Sequence, residues 1–420
     1  MIVAHLGPPL GRMGGPGGYL AQLDAALAAH GTGGHTVLLP PRAAAAGRAR
    51  PSWRARWLGQ LRRVKRRFSG PPAYYRPATS ELVRIGGELD RTIAQAWADV
   101  RQEIAPSLHQ ALDARADVIV AHDAPSAGAA LDRRAPGQQV WLMMHNPMPL
   151  ALYLAWCWGV PDRAWEEVAS YPDVQRWMTR ERAVIDQVDR LFIPCREAVD
   201  ELVRIAARYA SSLDRTEFLL TGAAGPPRSR SRAQARAAFG LPGSEPVGLF
   251  LGNAQPYRGL DALLAAVERL DPRHALPGVI AIAGPPVSDV PLGRRLTALG
   301  PVAEVGDLLG AVDFVINVNR FSLFDLSTIE ALEAGAPLLL HATGGNRTFA
   351  GLGAGAVMIE SLDPDVVAAG LTTMFRLPAD ERARLGTASR ACYERHLTPR
   401  HLRDRHVAIY DGARVVEATR

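Results

Sequence analysis

Two series of short, uninterrupted apolar runs constrain the fold of this chain more than any other feature. The first series is 1–6, 35–41, 117–123, 139–146 and 190–195, and the second is 247–253, 278–286, 312–319, 336–341 and 356–360. Short runs without polar alternation are typical of strands buried on both faces of a parallel sheet. Helical patterns such as 260–270 separate the runs. The order therefore predicts two doubly wound α/β units in series.

The domain boundaries follow from a change of composition. A chain of 420 residues exceeds what one hydrophobic core usually supports, so two domains are expected. Around 221–234, proline, glycine, serine and arginine replace the apolar pattern, as in a linker. We predict an N-terminal domain over 1–220 and a C-terminal domain over 221–390. The charged helical pattern over 391–420 is expected to cross back to the N-terminal domain.

Composition narrows the class of protein. The chain is 48% hydrophobic and 21% charged, which is typical of a soluble globular protein. The N-terminus has no basic region ahead of an apolar stretch, so we expect no secretory signal and a cytoplasmic location. Cys157, Cys195 and Cys392 lie far apart, which fits neither a disulfide framework nor a zinc site. They are interpreted as buried or inert thiols.

Ligands of open α/β sheets bind beyond the carboxyl ends of the strands. Loops with glycine or polar residues occur at these ends, and they span 7–18, 145–149, 253–259, 320–330 and 343–346. If the two sheets face one another, all five loops border a common cleft. That cleft is the default active site.

The N-terminal loops offer glycines and two histidines. Gly14 and Gly15 lie between a strand and a helix, where bare backbone N–H groups suit a phosphate, although a tight turn alone also needs glycine. His122 and His145 each end an apolar run, a position that suits a hydrogen-bond partner or an acid–base group. Either histidine could instead be a structural side chain, and for His122 that interpretation is preferred.

The C-terminal loops offer an anion site. Gly344 and Gly345, together with the N-terminus of the helix at 327–334, could donate N–H groups to a diphosphate. Arg258 and Arg320 lie on cleft loops and could supply the countercharge, since arginine makes bidentate phosphate contacts. Ordinary surface arginines are the alternative in a chain this rich in arginine.

A carboxylate lies next to this anion site. Glu330 can accept two hydroxyl hydrogen bonds at once, which matches the geometry of a ribose diol. A solvated helix face is the alternative, and it is the preferred interpretation for Glu333.

These motifs resemble those of the retaining GT-B glycosyltransferases of the family 4 type, and the resemblance covers nearly the whole chain. GGPGGYLAQL is similar to the family's glycine loop and first helix, and AHD and MMHNP to its two histidine-ending strands. LGNAQPYRGLDALLAAV is similar to the opening of its C-terminal domain, and 322–346 to its nucleotide-sugar motif. The resemblance implies an α/β fold of the GT-B type, in which two facing Rossmann-like domains enclose a deep cleft.

The resemblance also implies roles for single residues. Glu330 would bind the nucleotide ribose, Gly14 and Gly15 would approach the donor phosphates, and His145 would lie beside the transferred sugar. The catalytic candidates are His145 and Arg258. Further donor-binding candidates are Asn253, Arg258, Gly300, Val302, Arg320, Ser322, Phe324, Leu326, Ser327, Gly344 and Gly345. The acceptor-binding candidates are Tyr19, His122 and Asn146.

The implied substrate is a nucleoside-diphosphate sugar, with GDP or UDP as the expected nucleotide and no cofactor. No metal is expected, because helix ends and basic side chains neutralise the leaving diphosphate. The chain departs from the family at Ser322, where a first glutamate is usual, and at Asn253 and Arg258, where an arginine and a lysine are usual. The loss of a carboxylate that contacts the sugar implies an unusual donor.

The preferred function is transfer of a sugar to a small-molecule acceptor in secondary-metabolite (antibiotic) biosynthesis. One alternative is a membrane-associated transferase with a lipid-linked acceptor, because ten Lys or Arg residues lie within 42–67 together with Trp53, Trp57, Leu58 and Phe68 in the stretch 42–76. That stretch is preferably interpreted as a lid. A catalytically inactive nucleotide-sugar binding subunit is a third possibility, and no nucleic-acid partner is expected. The tryptophan-rich stretch 151–168 is either an acceptor wall or core. The oligomeric state is not predicted.

Overall fold

The structure is a computed structural model, and it describes residues 1–8, 10, 15–41, 82–160, 163–270, 277–285, 287, 290 and 295–418. Within these ranges no helix is long and apolar enough to cross a membrane. Gly14 and the whole of the basic stretch 42–76 lie outside the described residues, so the predictions made for them stay predictions.

The N-terminal sheet has six parallel strands in the order β2-β1-β3-β4-β5-β6. Its strands are β1 (Ile2–His5), β2 (Thr36–Leu38), β3 (Val118–Ala121), β4 (Gln139–Met143), β5 (Arg190–Ile193) and β6 (Thr216–Phe218). All four residues of β3 are buried, as expected for a central strand covered on both faces. The short edge strand β6 was missed by the sequence analysis, because its exposed residues lack an apolar run.

The helices of this half cover both faces of its sheet. They are α1 (Gly15–His30), α2 (Leu82–Asp113), α3 (Ala124–Leu131), α4 (Leu150–Leu154), α5 (Trp165–Ser170), α6 (Pro172–Gln187), α7 (Arg196–Ile205) and α8 (Ala210–Leu213). Helix α4 runs into a π-helical turn at Ala155–Gly159. The buried carboxylate of Glu181 accepts the Leu150 and Ala151 N–H groups at 2.9 and 3.2 Å, and so fixes the start of α4.

The C-terminal sheet repeats the design in the order β12-β11-β10-β7-β8-β9. Its strands are β7 (Val247–Leu251), β8 (Val279–Ala283), β9 (Leu296–Gly300), β10 (Phe314–Asn317), β11 (Leu338–His341) and β12 (Ala356–Ile359). The prediction of two parallel α/β sheets is confirmed. Strand β9, whose side chains are mostly half-buried, was not predicted as a strand.

The remaining helices pack around the second sheet. They are α9 (Arg232–Ala238), α10 (Leu260–Leu270), α11 (Val305–Ala311), α12 (Leu326–Glu333), α13 (Gly344–Gly351), α14 (Pro364–Arg376), α15 (Ala379–His396) and α16 (Pro399–Ala418). Helix α16 lies against the first sheet. The Arg405 guanidinium donates to Leu220 O at 3.0 Å, His35 contacts Asp411 at 2.9 Å, and the Tyr410 ring is fully buried beside Trp141.

The carboxyl ends of the two sheets meet across a partly closed cleft. The Thr348 hydroxyl donates to Glu197 at 2.6 Å, and the rings of Trp156 and Trp165 pack edge-on against Phe321 at 5.9 and 5.4 Å. These contacts join helix α13 to the helix after β5, and the loop after β10 to the helical segments after β4. The loops that carry the candidate site residues therefore line one region between the sheets.

Candidate functional site

The loop after β10 holds a buried ion pair. The Arg258 guanidinium donates to Asp325 at 3.0 Å, and the two side chains are only 18% and 14% exposed. The same carboxylate accepts hydrogen bonds from Asn317 (3.3 Å), Asn319 (2.6 Å) and Ser322 (3.1 Å). Five side chains thus form one polar network at the N-terminus of α12.

Asp325 is the functional candidate that the sequence analysis missed. A signal was present, since Asn317 and Asn319 alternate with apolar residues at the end of β10 and Asp325 directly precedes α12. A second carboxylate therefore lies three residues after Ser322, the position at which the resemblance leads one to expect a glutamate. One donor in the network has no acceptor, because the buried Arg258 Nε has no hydrogen-bond partner in the described part of the chain.

Glu330 lies one to two turns further along α12. Its carboxyl group is half-buried, and burial raises its pKa to about 7. Among the described residues no hydrogen bond or ion pair reaches this carboxyl group. Glu333 on the same helix differs, because Arg390 and Arg228 pair with it at 2.8 and 3.5 Å. Glu330 is therefore a desolvated hydrogen-bond acceptor without a partner in the described residues. Glu333 was predicted to lie on a solvated helix face, but its ion pairs give it a structural role.

The glycines after β11 have a structural requirement. At Gly344, φ is +40°, and an added Cβ would lie 1.9 Å from Ser322 O. An added Cβ at Gly345 would lie 1.9 Å from Leu323 O, and the Gly345 N–H donates to Ser322 O at 2.9 Å. The glycine pair thus supports the loop that carries Asp325. Since the Gly345 N–H is already bonded, a phosphate contact by this pair stays a prediction, for which the backbone of Gly344 is the better candidate.

Gly345→Ala should therefore destabilise the folded protein and shift the loop at 322–325. We expect a loss of about 1–3 kcal/mol in the free energy of unfolding, as for other overpacked sites, measured by urea denaturation. Gly351→Ala, at the end of the same helix, is the control. An added Cβ there meets nothing within 4 Å, so Gly351→Ala should raise the free energy of unfolding by about 0.5–1 kcal/mol. Equal responses of the two variants would contradict this role of Gly345.

The other C-terminal candidates are spread along the cleft. Arg320 pairs with Asp261 through both nitrogens, at 2.8 and 2.6 Å, so its charge is already compensated. The exposed Asn253 accepts the Gln255 N–H at 3.2 Å. Phe324 stacks on Phe349 with ring centroids 4.1 Å apart and forms core. Of the four further candidates, Gly300 is buried at the end of β9, Val302 is half-buried on the next loop, and Leu326 and Ser327 are half-buried at the start of α12.

The N-terminal candidates converge on a cluster that we call the histidine cluster, formed by His5, His122, His145, His406, Tyr19 and Tyr410. His122 contacts His145 at 2.7 Å and His5 at 3.0 Å, and His5 contacts the Tyr410 hydroxyl at 2.8 Å. Tyr19 contacts His406 at 3.0 Å, and its ring packs on His145 at 4.5 Å. His5, His406 and Tyr410 were missed, because 117 to 405 residues separate these partners in the sequence.

Helix α1 begins at Gly15, whose φ of +53° is favourable for glycine. Its next turn approaches the C-terminal half, since an added Cβ at Gly18 would lie 3.3 Å from Leu326. Asn146 is half-buried just after His145. The structure thus brings the start of α1, His145 and the start of α12 to the same cleft.

Burial lowers the pKa of every histidine in the cluster, and the charges of neighbouring histidines lower it further in His5, His122 and His145. The pKa of His145 falls to about 3 and that of His406 to about 4. These imidazoles are neutral in the folded protein at pH 7, so each has one N–H donor and one acceptor nitrogen.

Mild acid should destabilise the fold through this cluster. The unfolded chain protonates its histidines near their usual pKa of 6.5, whereas the four buried ones stay neutral in the native state, so stability is lost as the pH falls below 6.5. Two carboxyl groups, Glu181 and Glu330, have a pKa raised by burial to about 7 and oppose part of this loss. We expect unfolding near pH 5.5 to take up about two protons net. A urea midpoint that rises from pH 7 to pH 5 would contradict this.

A cavity of about 1640 Å³ opens beside the network, between the two sheets. Trp156, Trp165 and Phe321 give it an aromatic wall. Its arginines are each paired with a carboxylate, as Arg163–Glu167, Arg204–Glu201, Arg320–Asp261 and Arg347–Glu360. Glu166 and Asp200 also line the wall, and neither has an ion-pair partner within the described ranges. The cavity is thus large enough for a small molecule, and each arginine among the described residues that line it is paired with a carboxylate.

Comparison with solved structures shows which known fold the chain has. Sucrose-phosphate synthase from Thermosynechococcus elongatus superposes with a TM-score of 0.66 at 16% identity, over 100% of both chains. The Anabaena protein HepE in complex with UDP-glucose superposes with a TM-score of 0.60 at 13% identity, over 98% of this chain and 100% of that one. Likeness at these identities shows the fold. The chain has the two-domain GT-B fold of glycosyltransferases.

Sequence comparison finds similarity to a family of transferases. Residues 245–376 match the model of the glycosyl transferases group 1 family. D-inositol 3-phosphate glycosyltransferase 1 of Catenulispora acidiphila is 31% identical over 270 residues, covering 59% of this chain and 62% of the relative. D-inositol 3-phosphate glycosyltransferase of Xylanimonas cellulosilytica is 29% identical over 248 residues, covering 53% and 57%. The chain thus spans less than two thirds of the length of either relative.

Proposed function

We propose that this protein is a glycosyltransferase that moves a sugar from a nucleoside diphosphate to a small-molecule acceptor bound in the interdomain cavity. The observation that carries the proposal is a pair of polar groups without partners in the described part of the chain, one on the loop after β7 and one on helix α12. The Arg258 Nε lacks an acceptor and the Glu330 carboxyl lacks a donor, each among the described residues. A phosphate oxygen can accept from the Arg258 Nε, and ribose hydroxyls can donate to the Glu330 carboxyl.

The spacing along α12 suits one ligand. Asp325, which holds Arg258, precedes Glu330 by five residues, and this corresponds to roughly 7 Å along a helix axis. A diphosphate joined to a ribose spans a distance of this order. The N-terminus of α12 also presents free backbone N–H groups and a positive helix end to the diphosphate.

In this arrangement the protein acts by positioning and by charge stabilisation. The bond from the sugar C1 to the diphosphate oxygen breaks, C1 bonds to the nucleophilic atom of the acceptor, and the acceptor's proton passes to the leaving diphosphate. Arg258 and the helix end stabilise the negative charge of the leaving group. Glu330 fixes the nucleotide through its ribose. We assign the contact with the transferred sugar to His145, whose ring packs on Tyr19 of α1. Retention of configuration and a role in secondary metabolism stay predictions.

The cavity wall supports an acceptor without a phosphate group. A phosphorylated acceptor needs an uncompensated cation, and all four wall arginines named above are paired with carboxylates. The unpaired Glu166 and Asp200 favour hydroxyl or amino groups, and the aromatic wall suits an apolar face. In this respect we expect a difference from the relatives, whose names refer to inositol 3-phosphate.

Donor binding is tested first. Thermal-shift screening with UDP, GDP and dTDP should find one nucleotide that raises the melting temperature, because a ligand of the native state stabilises it. A transfer assay with the sugar donors of that nucleotide follows. Absence of both nucleotide binding and transfer would overturn the proposal.

The acceptor class is tested by charge. With the active donor, inositol should support faster transfer, or inhibit more strongly, than inositol 3-phosphate, because the wall repels the added negative charge. Raising the ionic strength should narrow the difference. A clear preference for the phosphorylated probe would reject the acceptor class and leave the donor assignment standing.

A further inference from the structure

Three histidines and a tyrosine form a continuous chain of hydrogen bonds through the N-terminal half. The chain runs from His145 to His122 (2.7 Å), to His5 (3.0 Å) and to the Tyr410 hydroxyl (2.8 Å). His122 and His5 are 1% exposed and Tyr410 is fully buried, whereas His145 is half-buried at the cleft. This series of hydrogen bonds thus links a cleft residue to helix α16, which lies on the far side of the cluster.

The chemistry of these side chains determines which group donates and which accepts in each hydrogen bond of the series. A neutral imidazole donates through one nitrogen and accepts through the other, so the state of each ring fixes that of the next. The buried Tyr410 hydroxyl carries a proton, and His5 Nε2 is the acceptor that it reaches in the described part of the protein. A buried hydroxyl hydrogen without an acceptor is unfavourable, so Tyr410 donates and His5 Nε2 accepts.

The remaining bonds follow from that first one. His5 carries its hydrogen on Nδ1 and donates it to His122 Nε2. His122 then carries its hydrogen on Nδ1 and donates it to His145 Nε2. His145 is left with its hydrogen on Nδ1, and no partner for that nitrogen occurs among the described residues. The opposite direction would place a hydrogen on His145 Nε2 and leave the Tyr410 hydrogen without an acceptor.

A metal site is the other obvious use for clustered histidines, and the geometry does not fit it. The ring nitrogens face one another in pairs at 2.7 and 3.0 Å and do not converge on a common point. The fourth histidine has its own partners. His406 Nδ1 donates to the carbonyl of Leu402 at 2.9 Å, so its Nε2 accepts from Tyr19 at 3.0 Å.

We propose that Tyr410, through His5 and His122, is a positioning residue that holds His145 in the tautomer with the hydrogen on Nδ1. His145 then offers the cleft a hydrogen-bond donor and no acceptor lone pair on that nitrogen. The Nδ1–H group of His145 can donate a hydrogen bond to the oxygen of a sugar hydroxyl. Because Nδ1 carries the hydrogen, it cannot serve as a general base. This consequence for transfer rests on the proposed function, whereas the tautomer itself does not.

The test is nuclear magnetic resonance of protein labelled with ¹⁵N in its histidine rings, because protonated and bare ring nitrogens differ strongly in chemical shift. His145→Gln assigns the His145 signals by their loss. We expect wild-type His145 to show one protonated nitrogen, Nδ1, at pH 7. In Tyr410→Phe the single tautomer should be replaced by a mixture or by the Nε2 form.

Tyr19→Phe is the matched control. It removes the hydroxyl of the other tyrosine in the same cluster, so the His406 signals should change while His145 keeps its hydrogen on Nδ1. Wild-type His145 protonated on Nε2 would overturn the proposal even if Tyr410→Phe did not fold. An unchanged His145 tautomer in folded Tyr410→Phe would also overturn it. None of these readouts needs a donor or an acceptor, so failure of the proposed function would be seen separately.

Discussion

Arg258→Met is expected to destabilise the protein by about 3–5 kcal/mol, the cost of leaving one partner of a buried ion pair without the other. Asp325 would keep its hydrogen bonds from Asn317, Asn319 and Ser322, yet its negative charge would remain buried without a countercharge. Urea denaturation measures the loss. The same variant should lose most of its nucleoside-diphosphate affinity, measured by titration calorimetry.

The double variant Arg258→Met/Asp325→Asn separates stability from binding. It removes both charges, so most of the lost stability should return, because a neutral pair of similar volume is often tolerated in place of an ion pair. Nucleotide affinity should stay low, since the phosphate-binding cation is still missing. Recovery of wild-type affinity in the double variant would show that Arg258 does not bind the donor.

Asp325→Asn alone is expected to act in the opposite direction on binding. The Arg258 charge would lose the carboxylate that now competes with a phosphate for it, so diphosphate affinity should rise. The three variants together therefore test whether Asp325 restrains a cation that the donor needs.

Glu330→Gln is expected to raise stability and lower nucleotide affinity at the same time. Burial raises the pKa of Glu330 from 4.5 to about 7, so the protein loses stability as the pH rises from about 4.5, and the loss is complete above about 7. Replacing it with a neutral amide should stabilise the free protein by about 1–3 kcal/mol at pH 8, since each pKa unit corresponds to about 1.4 kcal/mol. Affinity for the nucleotide should fall by about 1–3 kcal/mol, because a charge-assisted hydrogen bond is lost.

Glu333→Gln is the matched control on the same helix. Glu333 pairs with Arg390 and Arg228, so its substitution should leave nucleotide affinity unchanged and slightly reduce stability. Binding to the wild-type protein should also release protons near pH 6.5, because ribose hydroxyls favour the ionised carboxyl group and lower its pKa. Unchanged affinity in Glu330→Gln would place the donor elsewhere in the cleft.

The predictions from sequence were most accurate where one local pattern decides the outcome. Apolar runs such as 117–123 and 312–319 contain β3 and β10, because a strand buried on both faces has to be apolar throughout. Strands β6 and β9 were missed because their side chains are largely exposed or half-buried and follow no such pattern.

The site was only partly predictable. His145 and Arg258 were selected by their positions after strands and Glu330 by its position in the helix that follows a cleft loop; His145 and Arg258 lie on loops, and Glu330 lies on α12. The pairing of Arg258 with Asp325 and of Arg320 with Asp261 could not be predicted, since it depends on side chains 67 and 59 residues apart. The same applies to Gly345, whose tight contact is with the backbone of another loop.

The sequence by itself determined that two parallel α/β sheets form and that polar groups collect at their carboxyl ends, because both properties follow from the order of residues along each strand and its loop. The tertiary structure alone decided which charges are compensated, which carboxyl group is left without a partner, and that Tyr410 of the last helix reaches His5 of the first strand. Those outcomes depend on burial and on distances between segments far apart in the chain, and no local pattern encodes them.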